Sequence, residues 1–124
     1  SNVHRLCGGT HMSALSDGEK ILVLAEDIGR HNTLDRIKGE CMLRGIPTEN
    51  RAVVTSGRIS SEMVLKAGRM AIPLLISRTT PTDEAISSAE RIGITVVGYV
   101  RGNRMSIYSC PHRIKDCFAN TEGH

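Results

Sequence analysis

Ile21-Leu22-Val23-Leu24-Ala25-Glu26-Asp27-Ile28-Gly29-Arg30-His31-Asn32-Thr33-Leu34-Asp35-Arg36-Ile37 is the stretch on which the fold of this chain turns. It opens with an apolar run of strand length and closes with apolar residues at helical spacing. Between the two lie two acids, a glycine, an arginine, a histidine and an asparagine. A strand-to-helix turn of this kind points backbone N–H groups and the positive end of the helix dipole at one spot, where an anion can sit.

Upstream, Cys7-Gly8-Gly9-Thr10-His11 is a glycine turn, either plain or made for close approach of a ligand. The polar loop at 16–20 suggests that the segment after His11 pairs with the strand at 21–25. Downstream, a helix is expected over 32–44, with Leu34, Ile37, Cys41 and Met42 facing inward, Gly45 at its end and Pro47 beyond. A strand over 51–56 follows. Ser60 then caps a second helix with Glu62 in its first turn, an apolar stripe of Met63, Val64, Ala67, Met70 and Ala71, and Pro73 as its stop. After a strand over 74–77, Thr80 as N-cap, Pro81 at the first helical position and Asp83 at the third start another helix. Ala85, Ile86, Ala89 and Ile92 would be its inner face and Gly93 its end. A strand over 94–100 leads through the glycine-containing turn 101–104 into a hairpin partner over 105–108.

Strands alternating with helices predict a three-layer α/β/α domain over 1–108, with a mixed, mostly parallel sheet and helices on both faces. Residues 109–124 lack periodicity and read as a frayed or swapped tail.

With 124 residues, the chain can bury one core. It is 40% hydrophobic but only 2% aromatic, so that core is aliphatic, and no stacking platform for single-stranded nucleic acid exists. A net charge of +3 with dispersed Lys and Arg is an ordinary surface and not a nucleic-acid footprint. No apolar run has the length of a membrane span and no signal-peptide pattern opens the chain, so a cytoplasmic location is expected. The chain opens Ser1-Asn2-Val3 without an initiator Met, which suggests a tag remnant and a fragment of a longer protein. Cysteines 7, 41, 110 and 117 have no C-x-x-C spacing. Cys41 falls on an apolar helix face; Cys110 and Cys117 are free to bridge, but reduced thiols are the default.

In open α/β sheets, ligands bind outside the carboxyl ends of the strands. There the sequence places Glu26, Asp27, Gly29, Arg30, His31 and Asn32, then Ser56, Gly57, Arg58 and Ser60. Ser77, Arg78, Thr79 and Thr80 come next, and Arg101, Gly102, Asn103 and Arg104 last. Each turn carries an arginine beside a glycine or a hydroxyl residue. The guanidinium fork fits phosphate oxygens, so four such loops favour a polyphosphate or nucleotide-like ligand over a merely solvated rim. No Walker or dinucleotide-binding glycine motif is present. The zinc deaminase pattern is absent, and His31 has no cysteine pair at metal spacing, so no metal is expected. His31, with a reference pKa of about 6.5, suits hydrogen bonding to a ligand before acid–base work. Glu26 and Asp27, adjacent in an extended segment, point to opposite faces and make a poor carboxylate pair. One of them is expected instead to bond a ribose hydroxyl or a guanine edge. Cys7 with His11 would be a nucleophile pair, but no third orienting group is identifiable.

The run Glu26-Asp27-Ile28-Gly29-Arg30-His31-Asn32-Thr33-Leu34-Asp35 resembles the E-D-V-G-R-H-N-A-L-D signature of the formate dehydrogenase accessory sulfurtransferases, the FdhD type. Ser56-Gly57-Arg58-Ile59-Ser60-Ser61-Glu62 resembles that family's S-G-R-x-S-x-E element. Ala71-Ile72-Pro73-Leu74-Leu75, Thr80-Pro81-Thr82 and Gly98-Tyr99-Val100-Arg101-Gly102-Asn103-Arg104-Met105 resemble its later blocks, in order. Gly8-Gly9-Thr10-His11 resembles its T-G-G-x-H segment, with Cys7 where the family has threonine. The resemblance runs from Cys7 to Tyr108.

It implies a cytidine-deaminase-like fold without zinc, and transfer of sulfur from a cysteine desulfurase to the molybdenum cofactor for use by formate dehydrogenase. The cofactor in question is bis-molybdopterin guanine dinucleotide, of which a guanine nucleotide is a partial mimic. The segment Tyr99, Val100, Arg101, Gly102, Asn103 and Arg104 matches the family's cofactor-binding block. The loops containing Gly29, Arg30, His31 and Asn32, and Ser56, Gly57, Arg58 and Ser60, match its guanine-facing loops, and Gly8, Gly9 and His11 join them. A homodimer is implied too. The family's persulfide cysteines lie in a C-x-x-C loop upstream of T-G-G-x-H, and no cysteine here matches them. The expectation is therefore a C-terminal, cofactor-binding portion that binds but alone does not transfer sulfur. Two alternatives stand beside it: a non-catalytic cofactor-binding chaperone, and a nucleotide-binding or nucleotide-processing domain of another role.

Overall fold

A computed structural model describes residues 11–26, 33–101 and 104–114. Their elements are β1 (Met12–Ser16), β2 (Ile21–Glu26), α1 (Thr33–Arg44), β3 (Ala52–Thr55), α2 (Ser61–Arg69), β4 (Leu74–Ser77), α3 (Asp83–Ile92), β5 (Thr95–Arg101), β6 (Arg104–Ser109) and a 3-10 turn at Pro111–Arg113. The strands form one six-stranded sheet in the order β2-β1-β3-β4-β5-β6.

The sheet is mixed and not mostly parallel. β3 runs parallel to β4 and β4 to β5, whereas β1 is antiparallel to β2 and β3, and β6 to β5. The cause is the tight connection at 17–20. The Asp17 carboxylate accepts from the N–H groups of Glu19 and Lys20, both at 2.9 Å, and folds β2 back along β1. β1 then lies between β2 and β3, so two antiparallel junctions stand where the α1 crossover alone would have given a parallel one.

The three helical crossovers, β2 to β3, β3 to β4 and β4 to β5, all step the same way across the sheet. Crossovers are right-handed, so all three helices lie on one face. Strand alternation agrees. Leu15, Val23, Val53, Leu75 and Val96 share one core with Leu34, Ile37, Cys41, Met63, Val64, Ala67, Ala85 and Ala89 of the helices. Ser13, on the same side of β1, shares a 2.7 Å hydroxyl–hydroxyl bond with Thr33 at the start of α1. The opposite face presents Ala14, Leu24 and Val54, of which Leu24 is 47% and Val54 40% exposed. The described helices are thus one outer layer of an α/β arrangement of the three-layer kind.

Several local expectations shift. Met42 is 74% exposed: it follows Cys41 by a third of a helical turn, which carries it off the inner face. α2 ends at Arg69 with Met70 as its C-cap, before Pro73 is reached. Ala71 is exposed in left-handed backbone, φ 60°, so it leaves the apolar stripe. The N-cap of α3 is Thr82, whose hydroxyl accepts from the Ala85 N–H at 3.0 Å, and not Thr80. Tertiary bonds hold 80–82 extended: Arg58 Nε donates to the Thr80 carbonyl and the Thr82 N–H to the Ile59 carbonyl. On α3, Ser88 is buried while Ile86 is half-buried and Ile92 exposed. Ser60 caps α2 and Gly93 ends α3 in left-handed backbone, φ 86°, both as the sequence predicts.

Of the stretch 109–124, expected as a frayed or swapped tail, the described residues 109–114 are fastened to the fold. Ser109 Oγ donates to the Ile94 carbonyl at 2.8 Å, and Arg113 Nη1 donates to the Gly93 carbonyl at 2.7 Å and to Thr95 Oγ1 at 3.1 Å. No described helix is long and apolar enough to cross a membrane.

Candidate functional site

β3, β4 and β5 run parallel, so their carboxyl ends share one edge of the sheet. β2 ends there as well, because Glu26 lies opposite Met12, where β1 begins. The fold therefore gathers His11, Glu26, the loop 56–60 and the loop 77–80 along one rim. β5 pairs with β4 up to Ile76 opposite Val97 and then runs on to Arg101. At about 3.3 Å per residue, its last three residues stand roughly 10 Å proud of the rim. Arg101 pairs with Arg104 across the hairpin, and Arg104 is exposed.

Of the site residues expected from sequence, the structure brings together His11, Ser56, Gly57, Arg58 and Ser60, while Arg104 and the backbone of Tyr99, Val100 and Arg101 lie at the same edge of the sheet, on the β5–β6 hairpin that stands beyond the rim. Gly8, Gly9, Gly29, Arg30, His31, Asn32, Gly102 and Asn103 lie outside the described residues.

The loop after β3 is knitted to β1 by Ser56. Its N–H donates to the Met12 carbonyl and its Oγ accepts from the Met12 N–H, both at 2.9 Å. Thr55 Oγ1 accepts from the Gly57 N–H at 3.1 Å. The His11 imidazole lies over Gly57: a Cβ there would meet its Nδ1 at 3.1 Å and Cγ at 3.2 Å and would press the ring outward by a few tenths of an ångström. The Ser60 hydroxyl is occupied as a cap, accepting from the Met63 N–H at 3.2 Å. Its contribution to a site is to orient the start of α2 and its free N–H groups.

Arg58 is held at one end. Its Nε donates to the Thr80 carbonyl at 2.8 Å, so the guanidinium is fixed along one edge while the exposed head keeps its terminal nitrogens for a partner. The loops 56–60 and 77–80 together hold Arg58 and Arg78, both exposed, and no acidic residue. These two loops favour anions, with Glu26 at the end of β2 as an acid on the same rim.

Ser77 and Thr79 belong to this arrangement but stand out less in the sequence, where a short hydroxyl run is an ordinary loop signal. Ser77 is fully buried, donates to the Gly57 carbonyl at 2.7 Å and accepts from the Thr79 N–H at 3.1 Å.

A recess of about 250 Å³ opens beside the rim on the face opposite the described helices, lined by Met12, Ala14, Leu24, Val54, Ser56 and Arg78 among others. A larger hollow, about 630 Å³, lies at the far end of the molecule among Cys41, Met42, Pro47 and Met70, where α1 and α2 finish. Size alone would choose the far hollow. The carboxyl edge is preferred because the loops, helix starts and arginines converge there. Among the described residues, no group of three or more His, Cys, Asp or Glu side chains is arranged to hold a metal ion. Cys41 is buried and desolvation pushes its thiol pKa up, which suits a core residue and not a nucleophile.

The model of the FdhD/NarQ family matches residues 1–115. The sulfur carrier protein FdhD of Bacillus subtilis is 45% identical over 109 residues, which are 88% of this chain and 42% of that protein. The protein of the same name from Staphylococcus haemolyticus is 43% identical over 115 residues, 93% of this chain and 44% of its own length. The chain thus spans less than half the length of these relatives. A crystal structure of a formate dehydrogenase accessory protein from Desulfotalea psychrophila superposes with a TM-score of 0.81 at 36% identity, over 93% of this chain and 50% of that one. A diaminohydroxyphosphoribosylaminopyrimidine deaminase/reductase from Thermotoga maritima shares the fold alone, with a TM-score of 0.62 at 9% identity over 73% of this chain and 29% of that one.

Proposed function

The chain belongs to the FdhD/NarQ family, and from that premise we propose that its carboxyl-edge rim binds the guanine dinucleotide arm of the molybdenum cofactor as cargo, within a sulfur carrier that serves formate dehydrogenase. The observation that carries this is Arg58. Its Nε is tied to the Thr80 carbonyl and its exposed head is presented at the rim. A fixed fork of this kind suits a phosphate in two-point contact. Arg78 and Arg104 add positive charge at this edge, and the apolar floor of Met12, Ala14, Leu24 and Val54 offers cover for a flat ring.

In this scheme the described residues bind and orient the cargo, and sulfur arrives as a cysteine persulfide from a cysteine desulfurase. Cys41 is excluded as its carrier by burial. A cytidine-deaminase-like fold is part of this reading, supported by the likeness to the deaminase/reductase, and in it the cargo would lie where strand-end loops and helix starts meet. The proposal includes a homodimer working in the cytoplasm, with the formate dehydrogenase apoenzyme as acceptor.

Calorimetric titration with guanosine diphosphate, with adenosine diphosphate as control, tests it. Saturable, guanine-selective binding is expected, weakened about tenfold in Arg58→Ala and also weakened in Arg101→Ala and Arg104→Ala. Equal binding of both nucleotides, or full affinity in all three variants, would overturn the assignment.

A further inference from the structure

The loops after β3 and β4 carry the proposed anion site, and one buried hydroxyl joins them. Ser77 is the last residue of β4 and is fully buried. Its Oγ donates to the Gly57 carbonyl at 2.7 Å, immediately before Arg58. The same oxygen accepts from the Thr79 N–H at 3.1 Å and lies 3.0 Å from Thr79 Oγ1. One residue further on, the Thr80 carbonyl accepts from Arg58 Nε. The result is a closed circuit. Gly57 and Arg58 are each bonded across to the 77–80 loop, one through a buried side chain and one through an exposed one.

We infer that Ser77 is a positioning residue for the anion site, setting the distance between the two loops so that the Thr80 carbonyl reaches Arg58 Nε and fixes the guanidinium. This rests on the proposed role of the rim. A hydroxyl does this better than an apolar residue of similar size because the buried Gly57 carbonyl would otherwise be unpaired and the part-buried Thr79 N–H would lose its partner. Gly98 shows how tightly the loop is seated: a Cβ there would stand 2.6 Å from the Thr79 carbonyl oxygen and 2.9 Å from Tyr108 Cε2. The 77–80 loop therefore rests on β5 from one side and is bonded to the Arg58 loop on the other. Ser77 itself touches no ligand and acts through Arg58.

A double-mutant cycle tests this on the full 124-residue chain, read by titration with guanosine diphosphate and with inorganic pyrophosphate, and by thermal unfolding. Ser77→Ala is expected to weaken both probes about tenfold in the presence of Arg58. In an Arg58→Ala background the further loss is expected to be less than twofold, because the group being positioned is gone. A merely structural serine would lower the unfolding temperature and leave affinity unchanged, or cost the same factor with and without Arg58, and either result overturns the inference while leaving the rim's role intact. Should Ser77→Ala not fold, Thr79→Val at an exposed position removes a hydroxyl partner of Ser77. The same cycle is then expected to show about threefold weakening that depends on Arg58, and its absence overturns the inference. If the unaltered chain binds neither probe, the positioning role and the proposed function fall together.

Discussion

At the scale of single residues, three positions show where side-chain type was dictated by backbone or burial and not by ligand chemistry. Ala71 occupies left-handed backbone, φ 60°, just beyond the C-cap of α2, a conformation that penalises any Cβ. Ala71→Gly should raise stability by about 0.5–1 kcal/mol in urea unfolding. Gly98 is the reverse case. Gly98→Ala should cost about 2 kcal/mol, because its new methyl meets the Thr79 carbonyl at 2.6 Å and the Tyr108 ring at 2.9 Å, so the 77–80 loop or the strand itself must shift. Both residues were easy to misjudge in the sequence. Ala71 sits at the right spacing to look like core, and Gly98 lies inside a strand where nothing in the local pattern announces a crossing loop. Cys41, by contrast, was legible from its helical phase alone. With its thiol pKa raised by burial, Cys41 should resist iodoacetamide at neutral pH, and mass spectrometry should find it alkylated more slowly than the half-buried Cys110.

At the scale of elements, caps and ion pairs set the ends and the spacing of the helices. Ser60→Ala removes the acceptor of the Met63 N–H and should destabilise the chain by about 1 kcal/mol, measured by chemical denaturation. Between α1 and α2, Lys66 Nζ donates to Asp35 Oδ2 at 2.6 Å and lies 3.6 Å from Glu62 Oε2. The hydrogen bond to Asp35 raises the Lys66 pKa above its ordinary value, ahead of the opposing effect of desolvation. A cation with a raised folded pKa stabilises fully below its unfolded pKa, near 10.4, and loses that contribution as pH climbs through the folded value. The Lys66→Met variant should therefore lack part of the alkaline decline in unfolding midpoint seen in the unaltered chain. The difference should stay below about 1 kcal/mol, since Asp35 and Glu62 are largely exposed. Helix existence, order and two of the caps were legible, because apolar spacing and cap chemistry are local. The cap of α3 was not, because Thr80 and Thr82 have similar local claims. The bonds from Arg58 and Ile59 that decide between them come from a different loop.

At the scale of the whole molecule, the alternation of strands and helices made the α/β class legible, and with it the edge where strand-end loops collect. The antiparallel insertion of β1 was harder to weigh. The hairpin at 17–20 was readable, but its effect is to set β1 between β2 and β3, which is a property of the sheet and not of the hairpin. Two of the four arginine-bearing loops, 56–60 and 77–80, meet through hydrogen bonds, while the loop holding Arg30 lies outside the described residues. What the sequence could not supply was the circuit from Gly57 through Ser77 to Thr80, since it depends on distances across the fold. The central claim, that this rim and not the larger hollow at the far end takes a guanine nucleotide, is tested most directly by amide hydrogen exchange with and without saturating guanosine diphosphate. The account predicts slowed exchange in the loops 56–60 and 77–80 and little change at 41–49. Slowed exchange around Cys41 to Glu49, with the rim loops unaffected, would contradict it.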